Sequence, residues 1–264
     1  MTELGAEIIA VRAVPGGDIN AAARVELADG RTVFVKSHDA APPGMFAAEA
    51  DGLRWLAQGP LWVPQVLAVG ETWLALEWLE LDGRPDPAAL GGGLAALHRL
   101  GAPSFGYARA NYLATLPQDN AAETDWPAFY VERRLRPLCR RAGLGLDGQL
   151  DALRARPERF GPPEPPSRLH GDLWWGNARA CAGVPVVFDP AVYGGHREID
   201  LAMLALFGEL PAALVAAYEE IWPLADGWRD RLALHQLYPL AAHACLFGGG
   251  YGGEVARRLA GVLR

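Results

Sequence analysis

Residues 7–14 read as a strand, and Arg24-Val25-Glu26-Leu27 alternates apolar and polar positions with the period of two expected when one face of a strand is buried. Pro15-Gly16-Gly17-Asp18-Ile19-Asn20 is the turn between them. Asp29-Gly30 is a strong hairpin signal leading into Thr32-Val33-Phe34-Val35-Lys36, so Lys36 ends a third predicted strand. The period then changes. Over residues 45–58, Glu49, Leu53 and Leu56 fall at i, i+4 and i+7 on one face of a predicted helix. A carboxylate on that inward face needs a cationic partner, because burying it unpaired is costly, and Lys36 is the natural one. Residues 63–69 and 72–79 read as two further strands.

The remainder reads mainly helical. Residues 81–87, with Asp, Gly and two Pro, form the clearest linker. A helix over residues 87–100 contains Gly91-Gly92-Gly93, which permit close packing, and His98 within it reads as a hydrogen-bonded structural histidine. Residues 126–141 carry Arg133, Arg134, Arg136, Arg140 and Arg141, which a solvated helix face explains as well as an anion site does. Residues 158–167 hold Pro162-Pro163 and Pro165-Pro166 and make a stiff connector. From Ile199 onward the pattern is helical again, broken by Pro211 and Pro223 and closed by a glycine-rich stretch over residues 248–253. That stretch reads as a helix terminus followed by a turn, since no strand or Lys accompanies it as a phosphate loop would require. The expected class is α+β: a five-stranded antiparallel sheet with one helix over residues 1–80, a hinge over 81–87, and a larger, mainly helical part over 88–264.

Composition narrows the partners. The chain has 264 residues, 51% of them hydrophobic, enough for sizeable cores. A formal charge of −7 argues against nucleic acid or an anionic membrane surface as partner. No run of about 18 apolar residues is present and the N-terminus lacks a basic region followed by an apolar one, so a cytoplasmic protein is expected. A monomer is expected over a dimer. Cys139, Cys181 and Cys245 are odd in number and widely spaced, which suits neither a disulfide framework nor a metal site.

The chemistry is concentrated in His170-Gly171-Asp172-Leu173-Trp174-Trp175-Gly176-Asn177 and in Asp189, which follows the short apolar run 184–188. An Asp, an Asn five positions later and a second Asp at a strand end is how kinase-like enzymes assemble a phosphoryl-transfer centre. The first Asp must reach the hydroxyl to be phosphorylated, while Asn and the second Asp offer hard oxygen ligands to Mg²⁺ on the phosphates of ATP. No GxxxxGK[ST] string exists, which excludes a P-loop ATPase, whereas a Gly-containing hairpin, a strand Lys and a helical Glu match a protein-kinase-like bilobal fold. In that frame Gly16 and Gly17 let the backbone approach phosphates and Lys36 with Glu49 orients them. The backbone of Glu77 and Leu79 would meet the base at the hinge, although an ordinary buried strand accounts for those side chains equally well.

With these residues in place, the loop together with Asp189-Pro190-Ala191-Val192-Tyr193-Gly194-Gly195-His196-Arg197-Glu198-Ile199-Asp200 resembles the fructosamine kinase (ketosamine 3-kinase) family. Asn111-Tyr112, Leu116-Pro117-Gln118-Asp119-Asn120, Gln236-Leu237-Tyr238 and Leu246-Phe247-Gly248-Gly249-Gly250-Tyr251 extend the resemblance over nearly the whole chain. It implies ATP- and Mg²⁺-dependent phosphorylation of a ketosamine, typically on the sugar 3-hydroxyl, with the amine small or protein-bound and a deglycation role. It further implies Asp172 as catalytic base, Asn177 and Asp189 as metal ligands, and Lys36 and Glu49 as the phosphate-orienting pair. Trp174, Trp175 and Gln118 are expected on the substrate side, Trp174 as a wall for the sugar or as packing, and His170 and Asp200 as braces of the loop.

Trp175 stands where many members have a small residue, which predicts a narrowed sugar pocket and a preference for ribulosamine or erythrulosamine over fructosamine. Asp18 replaces a Cys that some members carry, so no redox switch is expected in that turn, and a leading helix common in the family is expected to be short or absent. The alternatives are a small-molecule kinase of the aminoglycoside or choline kinase type, a non-catalytic nucleotide-binding module, and a protein kinase. The last lacks an Ala-Pro-Glu segment and an activation loop after Asp189.

Overall fold

Two hairpins begin the chain. In a computed structural model describing residues 4–15 and 19–264, β1 (Ile8–Ala13), β2 (Ala21–Leu27) and β3 (Thr32–Ser37) run antiparallel. After α1 (Met45–Leu56) come β4 (Val66–Val69) and β5 (Trp73–Glu77), giving a five-stranded antiparallel sheet in the order β1-β2-β3-β5-β4. β4 starts later than the apolar run suggests because Pro64 has no N–H to give the ladder. Strand periodicity decides what β3 offers to each side. Val33 and Val35 are buried with Val25, Leu27 and Ala75 on one face, whereas Phe34 and Lys36 point to the face that carries α1 and the cleft.

Residues 78–86 contain no helix or strand. They are tied to the second part of the chain, the Asp82 N–H donating to the carbonyl of Ala180 (2.9 Å) and the Ala180 N–H to that of Gly83 (3.0 Å). The chain then enters α2 (Pro87–Arg99), whose Asp86 cap accepts from the Ala89 N–H at 2.8 Å. Short hairpin strands β6 (Asn111–Leu113) and β7 (Leu116–Gln118) follow, then a continuous helical stretch made of α3 (Trp126–Ala128), a π-helical stretch Phe129–Leu135 and α4 (Arg136–Arg141). α5 (Asp147–Arg154) and a 3₁₀ turn lead to β8 (Ser167–Leu169), and β9 (Ala178–Cys181) pairs with β10 (Val184–Val187). Finally β11 (Tyr193–Gly195) returns to β8, and α6 (Glu198–Leu204), α7 (Ala212–Ile221), α8 (Trp228–His235), α9 (Leu237–Phe247) and α10 (Tyr251–Leu263) complete the second lobe. One core cluster lies wholly in this lobe, while another joins Phe46, Leu53 and Leu74 of the first lobe to Leu90, Leu173, Leu201 and Leu214 of the second. Among the described residues no helix is long and apolar enough to cross a membrane.

Two expectations change here. The arginines of residues 126–141 are not one solvated face: Arg134 is buried between the rings of Phe129 and Tyr193 (4.5 and 4.1 Å) and donates to the Asp119 carbonyl and Asn120 Oδ1. The late glycine stretch does begin with the expected helix end and turn, but it does not close the helical pattern, which resumes in α10. Gly248 and Gly249 take φ of 64° and 62° to turn α9 into α10, and Gly252 and Gly253 lie inside α10.

The Gly91-Gly92-Gly93 run does serve a close approach, of α2 to α7. A Cβ at Gly91 would lie 2.1 Å from the Leu214 carbonyl oxygen, whereas one at Gly92 would meet only Ile221 Cδ1 at 3.6 Å. Gly91→Ala is therefore expected to lose about 1–3 kcal/mol through overpacking, and Gly92→Ala to gain up to about 1 kcal/mol from helix propensity. Chemical denaturation of both variants checks this, and equal effects would mean that the helices slide apart freely.

Candidate active site

The loop between β8 and β9 is folded by its backbone demands. Gly171 has φ of 83°, and a Cβ there would stand 2.1 Å from the Ala191 carbonyl oxygen, so only glycine lets residues 170–172 lie against residues 189–191. Asp200, in the first turn of α6, accepts from the N–H groups of His170 (2.8 Å) and Gly171 (2.9 Å) and also contacts His98 Nε2 at 3.1 Å. Burial alone would raise this carboxyl; the hydrogen bonds from His98 and the Gly171 backbone outweigh it and hold the group below its ordinary value. His98 is completed by the Tyr218 hydroxyl at 2.8 Å from Nδ1.

His170 ties the two loops together. Its Nε2 lies 3.0 Å from the Phe188 carbonyl, which can only accept, and its Nδ1 lies 3.3 Å from the Asp172 N–H, which can only donate. The proton therefore sits on Nε2, and burial lowers the pKa of the ring, in keeping with a neutral imidazole.

Lys36, Glu49, Asp172, Trp174, Asn177 and Asp189 all line one cleft of about 880 Å³ between the sheet and the helical lobe. Lys36 Nζ stands 2.5 Å from Glu49 Oε1 and 2.8 Å from Asp189 Oδ1. Burial works against the ammonium, but Asp189 and Glu49 outweigh it and hold the pKa of Lys36 above its ordinary value. Burial pushes the Glu49 carboxyl up, against the pull of Lys36 and with the help of Asp189. Gly52 lets α1 pack close to Val192, a Cβ there meeting its Cγ2 at 3.1 Å, which seats this helix over the segment that follows Asp189.

Asp189 itself has φ of 55°, a left-handed conformation that strains most residues with a Cβ and that Asp tolerates better than most. Asn177 donates from Nδ2 to the Asp172 carbonyl at 2.9 Å, and its amide oxygen is the atom left for a ligand. Asp172 is partly open to the cleft, yet burial, then repulsion from Asp189 and Asp200, push its carboxyl up to about 7, with the Asn177 hydrogen bond opposing. Asn177 and Asp189 together present hard oxygen donors beside a held ammonium, a donor set that fits Mg²⁺ on phosphate oxygens.

Other expected site residues stand elsewhere. Gly16 and Gly17 lie outside the described residues. The Glu77 N–H donates to the Gln65 carbonyl and its carboxylate accepts from Trp62 Nε1 (3.2 Å) and the Gln65 N–H (2.9 Å), so this residue closes the sheet edge. Among the described residues, the linker side chain that reaches the cleft is that of Leu81, two positions beyond Leu79. Gln118 is buried and accepts from the Tyr238 hydroxyl at 2.6 Å, away from the cleft. Trp175 is 7% exposed, packs in the core shared by both lobes with the Arg84 guanidinium 5.2 Å from its ring centroid, and does not line the cleft. The argument that Trp175 shrinks the sugar pocket is therefore overturned, because successive residues of the loop point opposite ways and Trp174 takes the cleft side.

The sequence reading missed Asn111, Phe207 and His243 as cleft residues. His243 and Phe247 stand at i and i+4 on α9 beside a face that is buried elsewhere, the one signal that could have marked them. A separate buried cluster, His196, Glu198 and His235, offers metal-ligand atoms within 4.8 Å of one another. Arg231 already donates to both Glu198 oxygens (3.0 and 2.6 Å), so the carboxylate is closed by a guanidinium and the cluster reads as a structural ion pair.

The family model described as fructosamine kinase matches residues 2–264. A relative from Enterococcus faecium named probable ketoamine kinase is 40% identical over 259 residues, covering 93% of this chain and 92% of that one. A crystal structure from Thermobifida fusca assigned to a fructosamine-3-kinase is 44% identical with a TM-score of 0.90, covering 100% of this chain and 96% of that one. Macrolide 2′-phosphotransferase type I, 17% identical with a TM-score of 0.64 over 98% of this chain and 92% of that one, shares the protein-kinase-like fold alone. A kinase-like cleft, a loop built on Gly171 and Asp200, and likeness along essentially the full length lead to one conclusion: the chain belongs to the fructosamine kinase family.

Proposed function

We propose that this kinase transfers the γ-phosphoryl group of ATP to the 3-hydroxyl of a ketosamine sugar, and that phosphorylation makes the adduct labile and frees its amine. The observation that supports this best is the convergence of Lys36, Asp172, Asn177 and Asp189 on one cleft. Asp172 accepts the proton of the attacking hydroxyl; as the new oxygen–phosphorus bond forms, the bond to the β-phosphate oxygen breaks and ADP leaves. Mg²⁺, held by Asn177 and Asp189, neutralises phosphate charge when bound. Lys36, fixed by Glu49, steadies the phosphates, and residues 78–86 with Leu81 serve as the hinge beside the base. His170 and Asp200 hold Asp172 in register.

ATP turnover measured across fructosamines, ribulosamines and erythrulosamines, with phosphorus NMR of the product, tests the reading. Transfer only to aminoglycosides or choline, or to a hydroxyl other than the 3-hydroxyl, would overturn it.

A base must be ionised to act, and burial with repulsion from Asp189 and Asp200 pushes the Asp172 carboxyl up to about 7, so activity is expected to rise with pH through that region. Below it, kcat/KM should fall by about tenfold per pH unit, the limit for loss of one proton. Glu49→Gln should keep this acid limb, because the limb belongs to Asp172. A profile flat from pH 5 to 8 would remove Asp172 from the role of base.

A further inference from the structure

We propose that the outer end of the cleft is a shelf for the organic substituent on the ketosamine nitrogen, with His243 receiving the protonated nitrogen, and that aromatic or long apolar substituents are preferred. This rests on the ketosamine reading above and specifies the amine side of the substrate.

Among the described residues, the large aromatic side chains left open to solvent gather here. Trp174, Phe207 and Phe247 are 41%, 45% and 50% exposed, yet they come from the catalytic loop, the turn after α6 and the end of α9. Their rings form a connected series: Trp174 to Phe207 at 6.4 Å edge to face, Phe207 to His243 at 5.2 Å, and His243 to Phe247 and Tyr251 at 5.4 and 5.2 Å. All five line the same cleft as Asp172. A contiguous exposed aromatic patch continuous with a reaction centre is a binding surface in waiting.

The shelf is built in place. The Trp174 indole packs against Gly176, which leaves room for it by having no side chain; a Cβ there would be 2.3 Å from the indole Cη2. His243 Nδ1 is 2.6 Å from the Pro239 carbonyl, which can only accept, so Nδ1 carries the proton and Nε2 is left as an acceptor.

The chemistry of the shelf selects its occupant. A sugar brings several hydroxyls that must keep hydrogen-bond partners, and this surface of two phenyl rings, an indole, a phenol and an imidazole offers only the Trp174 N–H, the Tyr251 hydroxyl and His243 Nε2, fewer than a sugar lying on it would need. An ammonium carrying an apolar group is matched on both counts: ring faces attract the cation, Nε2 accepts its N–H, and the rings cover the apolar substituent. Among the described cleft-lining residues the carboxylates are Glu49, Asp172 and Asp189, all in the Lys36–Asp172 cluster, so none competes for that cation at the shelf.

The test uses the full chain, ATP, and adducts of one sugar whose nitrogen carries methyl, phenethyl or the side chain of Nα-acetyl-lysine. The wild type should favour the phenethyl over the methyl adduct by about 10- to 100-fold in kcat/KM, with the difference in KM and the lysine adduct between them. Phe207→Ala and Phe247→Ala should each shrink that ratio about tenfold, and His243→Phe should raise KM for every adduct while keeping the preference for phenethyl. A ratio near one in the wild type, or a ratio unmoved by either Phe variant, would overturn the shelf. If no adduct is phosphorylated, the ketosamine reading fails, and calorimetric titration of the phenethyl adduct decides the shelf separately: binding weakened about tenfold in Phe207→Ala supports it, and equal or absent binding refutes it.

Discussion

Replacing Asp172 by Asn is expected to lower kcat by about 10²- to 10⁴-fold, the range that a positioned general base contributes. The substitution keeps the shape of the side chain and removes only its ability to take a proton. His170, Gly171 and Asp200 hold the loop through hydrogen bonds that do not involve the Asp172 carboxylate, so the loop should keep its course. ATP affinity should stay close to that of the wild type, because the groups assigned to the nucleotide are Lys36, Asn177 and Asp189. Stability should hold or rise. The carboxyl is pushed up to about 7 by burial and by Asp189 and Asp200, so its ionised form is disfavoured in the fold, and a neutral amide relieves that strain near neutral pH. Single-turnover rates, nucleotide titration and thermal melting separate the three effects. Turnover within tenfold of the wild type would show that the substrate hydroxyl loses its proton elsewhere.

How much of this could be read from the sequence differs by physical scale. The period of two in β3 and the i, i+4, i+7 face of α1 bring Lys36 and Glu49 together, because each pattern is local and each buried face admits one direction. The loop spacing put Asp172, Asn177 and Asp189 into one cleft for the same reason. Trp175 and Gln118 were misread because nothing local tells which side of an irregular loop or a three-residue strand faces a cavity. Glu77 was expected to meet the base through its backbone; its side chain serves another purpose, accepting from Trp62 and Gln65 at a sheet edge. The aromatic shelf was invisible for a further reason: Trp174, Phe207 and Phe247 are far apart in the chain, and only Phe207, set between Trp174 and His243, unites them.

Lys36→Met is expected to cost about 10²- to 10³-fold in turnover, as loss of a single charge-stabilising donor does, while nucleotide affinity changes far less. It should also destabilise the fold, because Glu49 would be left buried without its ion-pair partner. The pH dependence has a definite sign. A Glu49 carboxyl whose folded pKa is raised above its unfolded value contributes fully below that unfolded value and loses its contribution as pH rises through the folded one. The stability deficit of Lys36→Met should therefore be smallest in acid and grow toward neutral pH. The double variant Lys36→Met/Glu49→Gln separates structure from chemistry: the amide removes the stranded charge and should recover most of the stability at neutral pH, yet turnover should stay low. Denaturation curves at pH 5 and 7.5, beside single-turnover rates, read both quantities. Recovery of turnover along with stability would reduce Lys36 to a structural cation, and equal losses in affinity and turnover would place it outside the transition state.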